Sequence, residues 1–137
     1  MSNKSVSASF FRIYGEQHDV EGCGTLFTKD AVVNHSASPV PLDFDGYKQL
    51  GYAYLAGFAD LSCQIIDQVE EGDRVVSRVL WSGTHSGELI GIPATGRTFQ
   101  GVGVTIDRFE GGKIKERWDV TNMLSMLQQL GVIPAQA

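Results

Sequence analysis

The stretch around which the rest of this chain is organised is residues 97–119, where two extended runs flank Glu110-Gly111-Gly112. Paired glycines between runs of β-branched and aromatic residues mark a hairpin turn, because both tolerate positive φ. The second run ends at Trp118-Asp119. A carboxylate late on a long central strand, beside a large aromatic, is where a buried acid/base can sit. The hairpin is therefore read as one wall of a pocket, and Asp119 as the residue that does the chemistry there.

The chain before the hairpin alternates its periods. From Ser5 to about His18, Val6, Phe10, Ile13 and Tyr14 fall three and four apart and give one apolar helical face, with Ser5 or Ser7 as cap. Asp19 opens a short second helical piece to about Phe27, weakened by Gly22 and Gly24. Thr28-Lys29-Asp30 reads as a turn, Ala31 to His35 as a short extended segment, and Ser36 to Asp43, with Pro39 and Pro41, as a loop. A helix follows from about Asp45, with Tyr47, Leu50, Tyr54, Leu55 and Phe58 on one side. Cys63 to Val69 alternates as a strand, with Cys63, Ile65, Asp67 and Val69 on one face. Glu70 to Asp73 is a turn, and Arg74 to Thr84 is a long strand. After the hairpin, Thr121 to Leu130 is a final helix, with Gly131 as its C-terminal cap and Pro134 beyond. Helices first and strands later indicate an α+β fold with helices on one face of a curved sheet, and a sheet that curls around helices leaves a cavity at its open end.

Composition narrows the partners. With 137 residues the chain fits a single domain spanning 1–137. A net charge of −5 with scattered Lys and Arg argues against nucleic acid or an anionic membrane. Cys23 and Cys63 have neither C-x-x-C spacing nor a nearby histidine pair, so zinc is not expected and both read as free thiols. No apolar run approaches the ~18 residues of a membrane span, and the N-terminus lacks a basic-then-apolar signal pattern. The expected location is the cytoplasm. The glycines form no phosphate-binding pattern, and Ser86 lacks a G-x-S-x-G frame.

The chain resembles the SnoaL-like polyketide cyclase (ester cyclase) family, of the nuclear transport factor 2-like superfamily. The resemblance is carried by Glu71-Gly72-Asp73-Arg74-Val75-Val76, Gly83-Thr84-His85-Ser86-Gly87-Glu88, Gly91-Ile92-Pro93-Ala94-Thr95-Gly96-Arg97, Arg108-Phe109-Glu110-Gly111-Gly112-Lys113-Ile114, Glu116-Arg117-Trp118-Asp119 and Leu127-Gln128-Gln129-Leu130-Gly131, in that order. Phe27-Thr28-Lys29-Asp30 and Asn34-His35 extend it towards the N-terminus. It implies a cone-shaped curved mixed β-sheet with N-terminal helices in its concave face, and a pocket inside. It also implies metal-free, cofactor-free closure of a polyketide ring by intramolecular aldol condensation, with Asp119 as acid/base, and association as a homodimer or homotetramer through the open sheet. Where the characterised cyclases carry a pocket Gln and His, Gly103 and Thr105 stand here, so their substrate does not transfer directly.

An aldol cyclisation needs a base for an acidic C–H and a donor for the carbonyl that becomes an alkoxide. Burial beside Trp118 and Val120 is expected to raise the pKa of Asp119. By strand period, Arg117, Asp119 and Thr121 share one face. The bland alternative is an exposed Asp119 paired with Arg117 or Lys115. His85, at a strand end, either assists Asp119 or supports the following loop. Asn34 or His35 donates a hydrogen bond to substrate, or stabilises a turn. His18, at a helix end, reads as a cap. Tyr14, Tyr47, Tyr54, Phe58 and Trp81 are apolar enough to line a pocket, and with Thr105 and Trp118 they complete the expected binding set for an apolar or aromatic small molecule, against plain core packing. The rival readings of the whole are a non-catalytic binding or dimerisation module of the same fold and an isomerase- or epoxide hydrolase-like relative.

Overall fold

The computed structural model describes residues 1–134; the last three positions of the domain read from the sequence lie outside the described residues. Five strands form one mixed sheet in the order β1-β5-β4-β3-β2. These are β1 (Phe27–His35), β2 (Ser62–Glu71), β3 (Arg74–Thr84), β4 (Thr98–Glu110) and β5 (Lys113–Thr121). Helices α1 (Asn3–Phe10) and α2 (Phe44–Gly57) cover the concave face, and α3 (Met123–Gln129) closes the chain. Among the described residues no helix is long and apolar enough to cross a membrane.

The hairpin is central, as its sequence demands. Gly111 and Gly112 take φ of 60° and 79° at the β4–β5 turn, a conformation that side chains with a Cβ resist. β4 pairs on its other side with β3 along the whole of β3, from Arg74↔Arg108 to Thr84↔Thr98. The core forms between α1 and the inner face of this triplet: Val6, Phe10 and Phe11 from the helix end, and Val33, Val75, Val79 and Ile114 from the strands, are all at most 5% exposed.

Four local expectations change. α1 is capped by Ser2, whose hydroxyl accepts from the Ser5 amide at 3.1 Å; Ser7 is buried and serves elsewhere. The chain then widens into a π-helical stretch, Phe11–Glu16, with Gln17 N–H donating to Arg12 O, which turns both Phe11 and Tyr14 inward. The glycine-weakened second piece is only a 3₁₀ stretch, Glu21–Leu26. Thr28-Lys29-Asp30 is strand rather than turn, because Lys115 on β5 pairs with Asp30 and holds the β1 edge extended. In β2 a register shift between Ile65 and Asp67 exchanges the faces. Cys63 and Ile65 face inward as expected, but beyond the shift it is Gln68 that turns in, to donate to Ser77 Oγ, while Asp67 pairs outside with Arg78.

Candidate active site

Helix α2 explains why a cavity exists. Asp43 caps it through the Gly46 amide at 2.8 Å, and its apolar side carries Tyr47, Leu50 and Tyr54. These side chains face the sheet without filling the space in front of it. An open-mouthed cavity lies between α2, the inner face of β3–β5 and the start of α3. Tyr14, Phe58, Trp81, Phe99, Met123 and Met126 give it apolar walls. Protein interiors are normally packed to crystal density, so an apolar cavity left open between helix and sheet is a default ligand site.

One carboxylate lines the cavity among the described residues, that of Asp119. It is 14% exposed. Its Oδ2 accepts from the Tyr47 hydroxyl at 2.8 Å, and its Oδ1 accepts from no described residue. Arg117 Nη1 stands 3.2 Å from the same Tyr47 oxygen. A guanidinium can only donate, so the phenol proton points to Asp119. His35 is the Cα partner of Asp119 across the β1–β5 pair, and its Nε2 lies 3.9 Å from Asp119 Oδ2. The Ala37 amide donates to His35 Nδ1 at 2.9 Å, which places the ring proton of the neutral imidazole on Nε2, facing the carboxylate. Burial lowers the His35 pKa and the Arg117 charge adds to this, against the pull of Asp119, so neutral imidazole is favoured. Burial and then the Asp119 charge raise Tyr47 well above the ordinary phenol value, so it stays protonated. Tyr54 is pushed up to about 12 by burial and by Asp119.

Beneath this cluster lies a buried ionic frame. Arg117 Nε and Nη2 donate to Asp107 Oδ1 and Oδ2 at 2.6 and 2.9 Å, and Ser7 Oγ donates to Asp107 Oδ2 at 2.8 Å. Both charged side chains are 0% exposed. The guanidinium also lies 3.9 Å from the Phe10 ring centroid. Burial opposes its charge; Asp107 and the hydrogen bonds override that and hold it protonated. A chain of fixed contacts thus runs Ser7–Asp107–Arg117–Tyr47–Asp119. Among the described residues no group of three His, Cys, Asp or Glu side chains converges to hold a metal ion.

The expected binding set divides. Tyr14, His35, Tyr54, Phe58, Trp81 and Asp119 line the cavity. Four residues do not. Asn34 follows the pleat to the outer face, where its amide donates to Glu116 Oε2 at 3.0 Å. Trp118, its Cα partner, is on the same outer face with the Arg74 guanidinium 5.4 Å from its ring. Val120 is 57% exposed. Neither Trp118 nor Val120 therefore shelters Asp119; Tyr47 and His35 flank it instead. Thr105 pairs with Asp119 in the sheet but is buried outside the cavity lining. His85 is fully buried beyond the end of β3: its Nδ1 accepts from the Thr95 amide at 3.2 Å, and its ring packs 5.7 Å from Phe58. It holds the loop to Arg97 and does not reach Asp119. The pairing of Asp119 with Arg117 or Lys115 is also absent, since Arg117 serves Asp107 and Lys115 serves Asp30. His18 has φ of 56°, and its Nε2 bonds Leu61 O at 2.6 Å. Tyr47, Arg117 and Asp107 are what sequence reading missed as a unit. The only signal was an Asp and an Arg at positions that the hairpin register makes Cα partners.

Comparison with known proteins gives these residues a context. The model of a family described as SnoaL-like polyketide cyclase matches residues 6–130. Aklanonic acid methyl ester cyclase DnrD of Streptomyces peucetius is 38% identical over 66 residues, which are 48% of this chain and 46% of that protein. Nogalonic acid methyl ester cyclase of Streptomyces nogalater is 37% identical over 62 residues, 45% of this chain and 46% of that one. The chain thus spans about half the length of the curated relatives it matches. Among solved structures, AclR of Streptomyces galilaeus, a proposed hydroxylase, superposes with a TM-score of 0.88 at 27% identity, covering 98% of this chain and 84% of its own. IdmH of Streptomyces antibioticus, a proposed polyketide cyclase, superposes with a TM-score of 0.84 at 29% identity, covering 96% and 99%.

Proposed function

The chain belongs to the SnoaL-like polyketide cyclase family, and we propose that it is a cyclase-type acid/base enzyme that closes a ring in an aromatic polyketide ester by intramolecular aldol condensation. The observation that carries this reading is Asp119. A lone carboxylate stands in an apolar cavity with one oxygen held by a phenol and the other free. The free Oδ1 removes a proton from a carbon flanked by carbonyls. Such protons are already acidic, so a carboxylate suffices as base. The resulting carbanion bonds to the acceptor carbonyl carbon, and that carbonyl's π pair moves to its oxygen. The alkoxide then takes back the proton from Asp119, so the product is an isomer of the substrate. The His35 Nε2–H is the donor for the developing negative charge, while Tyr47 keeps its single proton on Asp119 Oδ2. The relatives' names supply the substrate class, methyl esters of polyketide acids.

The test incubates the protein with aklanonic acid methyl ester and follows an equal-mass product by chromatography. Asp119→Asn is expected to abolish turnover and keep ligand affinity. Undiminished turnover in that variant overturns the assignment of Asp119. No turnover in either protein, with affinity lost in the variant, favours the non-catalytic binding module instead. We also expect a homodimer or homotetramer formed through the outer face of the sheet, where Val69, Val102 and Val120 are 64%, 43% and 57% exposed around Trp118, and a cytoplasmic setting.

A further inference from the structure

The cavity holds one more polar group that the reaction above does not use. Outside the Asp119 cluster, most polar atoms on the wall are already engaged. Tyr14 donates to Gly51 O at 2.9 Å, Tyr54 to Met123 Sδ at 3.3 Å, Asn122 Oδ1 caps the Ser125 amide at 3.0 Å, and Lys48 pairs with Glu21 at 3.1 Å. The Trp81 indole Nε1–H makes no hydrogen bond to any described residue, although Trp81 lines the cavity. Gly103 is what leaves it uncovered. A Cβ at that position would stand 3.2 Å from Nε1 and 3.4 Å from Thr121 Cγ2. Nε1 is not among the buried side-chain atoms left without a partner, so its N–H is open to the cavity and free to meet an acceptor that a ligand brings.

Its place relative to the reacting carboxylate follows from the register. Gly103 is the Cα partner of Thr121, and Thr105 that of Asp119. Thr121 and Asp119 both line the cavity, two residues apart on β5. Two residues of strand span about 7 Å. The indole N–H therefore stands about one pleat from Asp119, and an indole can only donate.

We propose that Trp81 Nε1–H, bared by Gly103, is a specificity-determining subsite for an oxygen acceptor on the ligand. That acceptor is a carbonyl, ether or phenolic oxygen on an aromatic frame, about one pleat from the carbon that Asp119 deprotonates. The proposal rests on the reading of the cavity as a site for aromatic carbonyl compounds. It adds that the ligand is oriented from two ends, acid at one and indole at the other.

The test uses 1-tetralone and tetralin, bicyclic probes that differ in one carbonyl oxygen, and needs no turnover. Affinities are measured for the unmodified protein, Trp81→Phe and Gly103→Ala. The tetralone-to-tetralin affinity ratio is expected to fall about three- to tenfold in Trp81→Phe, the range of one net hydrogen bond. Gly103→Ala keeps the indole and crowds its N–H, and should lower the ratio as well. In ¹H–¹⁵N spectra of the unmodified protein, tetralone should move the Trp81 indole proton downfield and tetralin should not. Trp118, on the outer face, serves as the internal reference. These spectra and Gly103→Ala decide the matter if Trp81→Phe does not fold. A ratio unchanged in the variants, or indole shifts equal for both probes, overturns the subsite while leaving the cavity reading intact. Failure of both probes to bind overturns the aromatic-ligand reading, and the subsite with it.

Discussion

Asp107→Asn tests whether the buried frame beneath the site is as rigid and dry as its geometry implies. Asparagine keeps the shape of the side chain and removes the charge. It also turns one of the two oxygens now facing Arg117 and Ser7 into a donor facing a donor. Arg117, at 0% exposure, then holds a positive charge with no counter-ion in contact. Breaking such a pair from one side typically costs about 3–5 kcal/mol. A unit charge pair at about 4 Å and an effective dielectric of about 20 is worth about 4 kcal/mol, so the two routes agree. For 137 residues, at about 2.1 cal/mol/K of unfolding entropy each, that loss lowers Tm by about 10–17 °C. Urea and thermal unfolding followed by circular dichroism measure both quantities. Adding Arg117→Met to the variant should recover much of the loss, because the orphaned charge is gone. Asp67→Asn, which breaks the solvent-exposed pair with Arg78, is the control and should leave the midpoint within error. A loss below about 1 kcal/mol in Asp107→Asn would mean that water reaches the frame, and the reasoning from burial would fail.

Two further outcomes concern the groups around Asp119. Tyr47→Phe removes a donor to a carboxylate and leaves Arg117 Nη1 facing a ring edge. Hydrogen bonds to charged groups are worth about 1.5–3 kcal/mol, so kcat in the cyclisation assay should fall about 10- to 100-fold, and an unchanged kcat would remove Tyr47 from the proton machinery. His35 has a folded pKa below its ordinary 6.5, set first by burial. As pH falls through 6.5 the unfolded chain takes up that proton before the folded one, so stability declines from that pH down to the folded value and is fully present above 6.5. His35→Gln should flatten this decline in urea unfolding between pH 7 and pH 5; an identical slope in the two proteins would show that His35 titrates freely.

Much of the frame was legible in the sequence because it is local. The Gly111-Gly112 turn, the bounds of β3 and the apolar face of α2 follow from neighbouring residues whose φ preferences and side-chain periods agree. Strand parity puts Asp119 on the face of Arg117 and Thr121, but that this face is the inner one came from the family resemblance, not from parity. The failures are non-local. Asn34 and His35 are adjacent in the chain, and only the pairing of β1 with β5 decides which of them meets Asp119. The register shift in β2 has no residue signature, so the alternation from Cys63 carried past Ile65 gave the wrong inner residues. His85 sits in a polar motif that reads as chemistry, yet its imidazole is used to brace a loop through Thr95. The ionic frame joins Ser7 to Asp107 and Arg117 across a hundred residues, a juxtaposition that no spacing rule reaches.

The one parallel pairing in the sheet, β1 with β5, sets an order of events for a chain leaving the ribosome. β2, β3, β4 and β5 can zip hairpin by hairpin as they emerge, each closing a short loop. His35 must wait for a partner more than eighty positions downstream, and the entropy of closing so long a loop is met only when that partner arrives. The juxtaposition of His35 with Asp119 is therefore among the late contacts such a polypeptide acquires. Until then its oily interior gapes along the vacant border of the sheet, the period in which a nascent chain of this kind is most exposed to aggregation and to chaperone capture.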